Sequence, residues 1–365
     1  MGELTWAAAR AWRLGRQLLA PPTDDPESTL EAVVDRLGAL PAWSGDAPTA
    51  LGLRLGRPAG DELRRAVQEG RVFSGYAFRG ASHYLTARSA AAYLALRCAG
   101  RQWELRSWRE HYGLEPEDWP PLRAAVREAL ADGPLGREEL AAAIAAVPRY
   151  RHLRAAFLAP SQTLLKPFCW QGDLCFAPTD EGVAFRRLDG LPGWTGLLDL
   201  DAAGHWAVLH YLDAYGPAGA DRIHYWLGEG LSAGRRRIDR WIEELGDRLA
   251  VLPIEGTPAL CRAEDVDAIR RSAPSAAVTL LPGSDQWVLG AGTAATVVVP
   301  AAERPAATRG LPLVLVGGQV AGTWTTAGEV ITVSWSDGRP PAGSDALEAA
   351  VAALGRATGR AFTLG

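Results

Sequence analysis

PPLRAAVREALADGPLGREELAAAIAAVPRYRHLRAAFLAPSQTLLKPFCWQGDLCFAPTDEGVAFRRL, residues 120–188, is the stretch whose reading decides the fold. Leu122, Val126, Ala129 and Leu130 recur at helical spacing over Pro121–Ala131, and Asp132-Gly133-Pro134 breaks that helix. A second helix begins at Arg137 and runs to Val147, and a third covers Leu153–Leu164. Two apolar runs that read as strands follow, Leu165–Phe176 and Val183–Leu188, joined by the turn Pro178-Thr179-Asp180-Glu181-Gly182. Three helices and then a β-hairpin is the order of a winged helix-turn-helix, which lays its last helix in a DNA groove and its hairpin on the backbone.

The pattern occurs again downstream. Ala202–Ala214 is helical, Tyr215-Gly216-Pro217 breaks it, Ala220–Leu227 resumes, and Ser232–Leu245 supplies a third helix. Leu249–Ile254 and Pro258–Cys261 then form a hairpin around Glu255-Gly256-Thr257. Gly133-Pro134 and Gly216-Pro217 are offset by 83 residues, a spacing long enough for one such unit. Two unrelated helical hairpins would also give this pattern.

Upstream, Leu4–Leu19 is an amphipathic helix stopped at Ala20-Pro21-Pro22, and Thr23–Glu27 is a loop. Ser28 is placed to cap a helix over Thr29–Leu37 that Gly38 ends. Ala39–Ala50 reads as irregular, Leu51–Leu55 as a short apolar run, and Glu62–Glu69 as a helix capped by Asp61. Val72–Phe78 and Ser82–Leu85 form a hairpin around Arg79-Gly80, the wing of a third and more degenerate unit. Ala87–Arg97 and Arg101–His111 are helices.

Past Arg271 the pattern becomes β-like. Val278–Leu281, Gln286–Leu289, Thr296–Val299, Leu313–Val316, Val320–Trp324 and Val330–Trp335 are short runs separated by Gly, Pro and Asp. They predict a small barrel or curled sheet closed by a helix over Asp345–Thr358. The expected fold class is therefore α+β, with tandem winged helix-turn-helix domains and a C-terminal β-barrel. The expected domains are a degenerate winged helix over 1–116, winged helices over 117–198 and 199–272, and the barrel over 273–365.

Composition narrows the function classes. A chain of 365 residues with 48% apolar content can bury a sizeable core. It has no uninterrupted apolar stretch long enough to span a bilayer, no secretory pattern at Met1–Trp6 and no hydroxyl at residue 6 for myristoylation, so a cytoplasmic protein is expected. Cys98, Cys169, Cys175 and Cys261 match no Cys-x-x-Cys spacing, and no His-Glu-x-x-His occurs, so neither a metal nor another cofactor is expected. The net charge of −4 is unusual for a protein held to DNA by phosphate contacts. Yet every basic residue except Lys166 is arginine, and Arg235, Arg236, Arg237 and Arg240 cluster in the third helix of the downstream unit. Arginine suits bidentate phosphate contact, although a GC-rich genome produces the same bias.

Several ordered segments carry a family resemblance: Trp6-Ala-Ala-Ala-Arg-Ala-Trp-Arg-Leu-Gly-Arg-Gln17, Val34-Asp-Arg-Leu-Gly38, Ala77-Phe-Arg-Gly-Ala-Ser-His83, Leu165-Lys-Pro-Phe168, Gly172-Asp-Leu-Cys-Phe-Ala-Pro178, Tyr215-Gly-Pro217, Leu280-Leu-Pro282, Asp285-Gln-Trp-Val-Leu-Gly290 and Gly318-Gln-Val-Ala-Gly-Thr-Trp324. Together the chain resembles the AlkZ-like winged-helix DNA glycosylases. The resemblance implies three winged helices and a β-barrel around a DNA-binding concavity, with excision of bulky alkylated purines, crosslinks included, as self-resistance to a genotoxic natural product.

One departure stands out. The family's Gln-x-Gln signature follows the Arg-Leu-Gly segment by two residues, and here that place holds Pro41-Ala42-Trp43. Neither a pyrrolidine ring nor an indole N–H can accept a proton from water. Asp46 is the carboxylate in the same loop, a candidate to activate water or else a turn residue. His83 is the second catalytic candidate, against a purely local hydrogen-bonding role. Arg79 is a phosphate-contact candidate and Trp43 a stacking candidate for an extruded base, with core packing as its alternative. Lys166, before Pro167 at the head of an apolar run, is poorly placed for a Schiff-base lyase. Three functions fit: a glycosylase acting on duplex DNA with an alkylated base, a non-catalytic binder of damaged DNA, and a biosynthetic enzyme whose concavity holds a small aromatic natural product.

Overall fold

A computed structural model describes residues 3–20, 28–179, 182–338 and 343–365. The expected loop Thr23–Glu27, the stop at Pro21-Pro22 and Asp180-Glu181 of the expected turn lie outside the described residues.

Helix α1, Trp6–Arg16, is capped by Thr5, whose side chain accepts from Ala8 N. Then one motif is drawn three times. In the first unit α2 (Leu30–Leu37) leads to the two-residue strand β1 (Leu40–Pro41), α3 (Ala47–Leu55), α4 (Gly60–Gln68) and the hairpin β2 (Phe73–Tyr76) and β3 (Ser82–Leu85), with sheet order β1-β3-β2. Helices α5 (Ala87–Cys98) and α6 (Arg106–Tyr112) lead on to the second unit. There α7 (Trp119–Ala129) is followed by β4 (Leu135–Gly136), α8 (Arg137–Ala146), α9 (Arg154–Leu158), α10 (Lys166–Trp170) and the hairpin β5 (Leu174–Ala177) and β6 (Ala184–Arg187), with the matching order β4-β6-β5.

The third unit has α11 (Leu200–Tyr215), α12 (Ala220–Ile223) running into a π-helical segment at His224–Glu229, α13 (Arg235–Glu244), and the hairpin β7 (Leu249–Ile254) and β8 (Thr257–Arg262). Its first strand has shrunk to one bridge, Ala218 to Leu260 in β8. That bridge stands 83 residues after the Leu135 that pairs with Phe185 in β6. The repeat spacing visible in the sequence is thus a repeat of strand pairing.

After α14 (Val266–Arg271) come β9 (Val278–Leu281), α15 (Gln286–Ala291), α16 (Arg304–Thr308), β10 (Leu313–Val316), β11 (Gln319–Ala327), β12 (Val330–Trp335), α17 (Ser344–Thr358) and β13 (Thr363–Leu364). The sheet order is β13-β12-β11-β10-β9. Among the described residues β9 and β13 do not pair with each other, so this is a curled open sheet and not a closed barrel.

Several local expectations are corrected. Leu165–Phe176 is not one strand: Lys166–Trp170 is helical, with Pro167 in the first turn where its missing N–H does no harm. The third helix of that unit is broken into a 3-10 turn at Pro148–Leu153, α9 and a second 3-10 turn at Thr163–Leu165. Gln286–Leu289 is helix, because the Asp285 carboxylate accepts from Trp287 N at 2.7 Å and caps it. Thr296–Val299 forms turns. Thr29, not Ser28, caps α2. Ala39–Ala50 contains β1 and the start of α3, and Arg101–His111 is a 3-10 turn at Gln102–Glu104 followed by α6.

Packing ties the ends of the chain together. Leu14 of α1 and Leu53 of α3 join the core of the C-terminal sheet, and α17 lies along α3. Helices α2, α3 and α4 bury Leu30, Val33, Leu51 and Leu63 in a core of their own, while the largest core joins the β2–β3 hairpin of the first unit and α5 to the second unit and to α11 and α13 of the third. Within it Trp241 of α13 is fully buried against α11, and its Nε1 donates to Asp201 at 2.8 Å. Gly204 makes that approach possible: a Cβ there would lie 2.6 Å from Trp241 Cε3 and nearer still to Cδ2 and Cε2. Gly204→Ala is expected to destabilise the protein by about 1–3 kcal/mol in urea unfolding. Helix propensity alone favours alanine by about 1 kcal/mol, so a stabilised variant would contradict this packing.

Candidate functional site

The β1–α3 connector carries the departure from the family pattern. Gly38 closes α2 with φ 80°, and the chain turns into β1. Pro41 occupies the edge strand, where a residue without an N–H removes nothing from the ladder. Its cross-strand partner is His83. Ala42 N donates to Ser82 O at 3.1 Å, and the chain then leaves the sheet. Trp43 follows with 52% of its surface exposed, so it is not a core residue.

Asp46 stands at the N-terminal end of α3 but makes no cap hydrogen bond; its N–H donates to Ser44 Oγ at 3.3 Å. Its carboxylate faces the β9–α15 turn, with Oδ2 3.3 Å from the point where a Cβ on Gly283 would fall. Burial raises the Asp46 pKa above the usual carboxylate range, and the nearby Asp285 charge adds to the rise. Half-buried, making no cap hydrogen bond and three residues along the chain from an exposed indole, this carboxylate is free to accept a proton or to face a developing cation.

The residues behind it fix its position. Arg54 of α3 is fully buried and meets both oxygens of Asp285 at 2.9 and 2.8 Å, while donating to Ala50 O at 2.8 Å. Gln17, also fully buried, donates to Ala214 O at 3.0 Å and accepts from Arg54 at 3.5 Å. One network thus joins α1, α3, α11 and α15 directly beneath the Asp46 loop. No sequence motif joined its members, although Gln17 and Asp285 each delimit a segment that carries the family resemblance. Its signal was a cation inside the apolar run of α3, together with the Asp285 that precedes Gln286-Trp287.

His83 sits in β3 between Pro41 and Gly75 and is 6% exposed. Its Nδ1 lies 2.9 Å from Ala81 O, which assigns the proton to Nδ1 and leaves Nε2 an acceptor. Burial pushes its pKa down to about 4; the Ala81 carbonyl opposes this and Arg79 adds to it. The imidazole is therefore neutral near pH 7 and cannot act as a general acid there.

The remaining candidates are spread out. Arg79, at φ 51° in the hairpin turn, is exposed and lies 4.5 Å from the Tyr225 ring centroid in the third unit. Arg235 and Arg236 are exposed on α13 and form no ion pair among the described residues. Arg237 donates to Ala233 O at 3.1 Å, and Arg240 is engaged by Asp201 and Glu244. The structure thus places Trp43 and Asp46 on one loop, with His83 reaching that loop through Pro41. The α13 arginines belong to a separate helix that packs on α11. Lys166 opens α10, half-buried, with Nζ 5.3 Å from the Tyr76 ring centroid. Burial lowers its pKa, and Arg97 lowers it further. No cluster of metal-ligating side chains exists among the described residues, and no helix there is long and apolar enough to cross a membrane.

Comparison with known proteins places this architecture. The family model described as DNA glycosylase AlkZ-like matches residues 34–357. The interstrand DNA cross-link repair glycosylase of Streptomyces sahachiroi is 29% identical over 341 residues, 91% of each chain. The solved structure of the Streptomyces sahachiroi DNA glycosylase AlkZ superposes with a TM-score of 0.92 at 27% identity, covering 100% of both chains. With the three pairing units, the curled sheet and the order of segments in agreement, the chain belongs to the AlkZ-like DNA glycosylase family.

Proposed function

We propose that this chain is a monofunctional DNA glycosylase that hydrolyses the N-glycosidic bond of bulky alkylated purines in duplex DNA. Self-resistance to a DNA-alkylating natural product is the biological role that fits this chemistry. The observation that carries the reading is the half-buried Asp46 carboxylate, three residues after the exposed Trp43, on the loop where the family pattern places its Gln-x-Gln. The helix–strand–helix–helix–hairpin order, repeated with the same strand pairing, supports three winged helices as the DNA-holding frame.

Alkylation at N7 makes the purine cationic, so it departs without being protonated. Asp46 accepts a proton from water as the water oxygen bonds to C1′. The C1′–N9 bond breaks and its electron pair goes to the base, which leaves neutral. The oxocarbenium-like charge at C1′ is stabilised by the same carboxylate. A neutral His83 supplies no acid, and none is required for such a substrate. Trp43 offers an aromatic face for the extruded base or for the gap it leaves. Without an amine at this loop, no Schiff base with the abasic sugar follows.

The test is release of base from a duplex carrying one bulky N7-alkylguanine, alongside duplexes carrying uracil or hypoxanthine. Release from the first alone is expected. Release of uracil or hypoxanthine at a comparable rate would contradict the cationic-leaving-group reading, and release of none would leave a DNA binder without the reaction. Arg235→Ala combined with Arg236→Ala is expected to weaken binding to unmodified duplex. The slope of log affinity against log salt should flatten by about 1–2. An unchanged slope would remove α13 from the DNA contact.

A further inference from the structure

A cavity lies away from the Asp46 loop. It offers about 210 Å³, open to solvent on one side, where α1, the turn after α11 and residues 291–297 meet. Its apolar walls include Trp6, Tyr211, Pro217, Ala291, Ala294 and Ala295. Arg13 lines it as well and is only 4% exposed.

The charge of Arg13 has no carboxylate partner among the described residues. Its Nε and Nη2 donate to the carbonyl oxygens of Gly216 and Pro217 at 3.4 and 2.9 Å, its Cζ lies 5.8 Å from the Trp287 ring centroid, and Nη1 has no acceptor among the described residues. The neighbouring Tyr211 and Tyr215 are held neutral, since burial raises both phenols. Arg10 adds a further cation beside it. Arg222, which also lines the cavity, is paired with Asp221 at 2.8 Å, so that carboxylate is already taken. Glu255 meets Trp6 N at 3.1 Å. The rest of the lining is apolar apart from Thr257, Thr296 and the Asp221–Arg222 pair, whose charges offset each other, so the buried guanidinium leaves the site short of one negative charge.

We propose that this cavity binds a small aromatic monocarboxylate, its carboxylate on Arg13 Nη1 and its ring between Trp6, Tyr211 and the alanine wall. The volume admits one or two fused rings and excludes drug-sized ligands. A planar carboxylate matches the geometry of a guanidinium edge. Because the occupant touches α1, the third unit and the C-terminal domain at once, its binding braces the seam between them. This proposal is independent of base excision.

Isothermal titration of the full chain with sodium benzoate and sodium 2-naphthoate, and with their neutral carboxamides, tests it. At least one acid is expected to bind with a dissociation constant below about 1 mM. The matching amide should bind about ten- to a hundredfold more weakly, since it cannot make a charge-assisted pair. Ala294 is an exposed wall residue, so Ala294→Trp is expected to fill the cavity and abolish binding. Ala294→Leu, a milder filling, should weaken it and guards against a misfolded variant. No binding of either acid up to about 10 mM, equal binding of acid and amide, or unchanged binding by a folded Ala294 variant would each overturn the site.

Discussion

Asp46→Asn is expected to slow single-turnover release of a bulky N7-alkylguanine by about 10²–10⁴-fold, the range for losing one positioned general base. The substitution keeps the shape of the side chain and removes its charge. Both roles assigned to Asp46 depend on that charge: accepting the water proton and facing the cation at C1′. Stability should barely change, because Asp46 makes no cap bond and forms no ion pair among the described residues. Duplex affinity should not fall, since a negative charge near the DNA is being removed.

The pH dependence follows from the raised Asp46 pKa. The group works as the carboxylate, so the rate is lost as pH falls through that pKa. The acid limb should therefore lie above the position expected for a freely solvated aspartate. His83, already neutral far below pH 7, contributes no descending limb at neutral pH. An Asp46→Asn variant that keeps the wild-type rate and acid limb would move the chemistry elsewhere.

The largest stability effect is expected at Arg54. Arg54→Met removes one member of a pair whose side chains are 0% and 1% exposed. The Asp285 charge is then left buried without its partner, which costs about 3–5 kcal/mol. The loss should appear in urea unfolding as a lowered midpoint. Adding Asp285→Asn should recover much of it, because the buried charge disappears while Asn still caps α15. If the double variant is less stable than Arg54→Met alone, the pair is not coupled as described. Base release should fall with Arg54→Met even under conditions where the variant stays folded, since the pair braces the turn that faces Asp46.

Much of the frame was legible in the sequence. The 83-residue offset of the Gly-Pro breaks was visible because each break precedes the strand that closes the unit's sheet. The hairpin read around Glu255-Gly256-Thr257 joins β7 to β8, and the glycines between the C-terminal runs do turn β10 into β11 and β11 into β12, since turn chemistry is local. Two of the misreadings share one cause. Lys166–Trp170 and Gln286–Ala291 are short buried helices with apolar residues on all sides, which periodicity cannot distinguish from strands. Capping by Asp285 and the position of Pro167 were the deciding signals in these two cases. The two-residue strand β1 was hidden because Pro41 looks like a strand breaker and is tolerated only at an edge, a fact of tertiary context.

The candidate site was legible in part. Trp43 stood out as part of the Pro41-Ala42-Trp43 replacement and Asp46 as the carboxylate in the same loop, and the structure leaves the indole exposed and the carboxylate without a cap hydrogen bond. The Arg54–Asp285–Gln17 network was not legible, for its members lie 231 and 37 residues apart in sequence and meet only after the C-terminal domain folds back. The arginine run on α13 advertised a DNA surface by composition alone, yet half of it is spent on local contacts by Arg237 and Arg240.

The most direct measurement is the structure of this protein bound to duplex DNA containing a cationic pyrrolidine nucleotide, a mimic of the oxocarbenium-like transition state. The Asp46 carboxylate is expected within about 3–4 Å of the ring nitrogen, with Trp43 against the extruded base or the vacated stack. A pyrrolidine lying remote from Asp46, or a duplex that never approaches the β1–α3 connector, would contradict the assignment of hydrolysis to this loop.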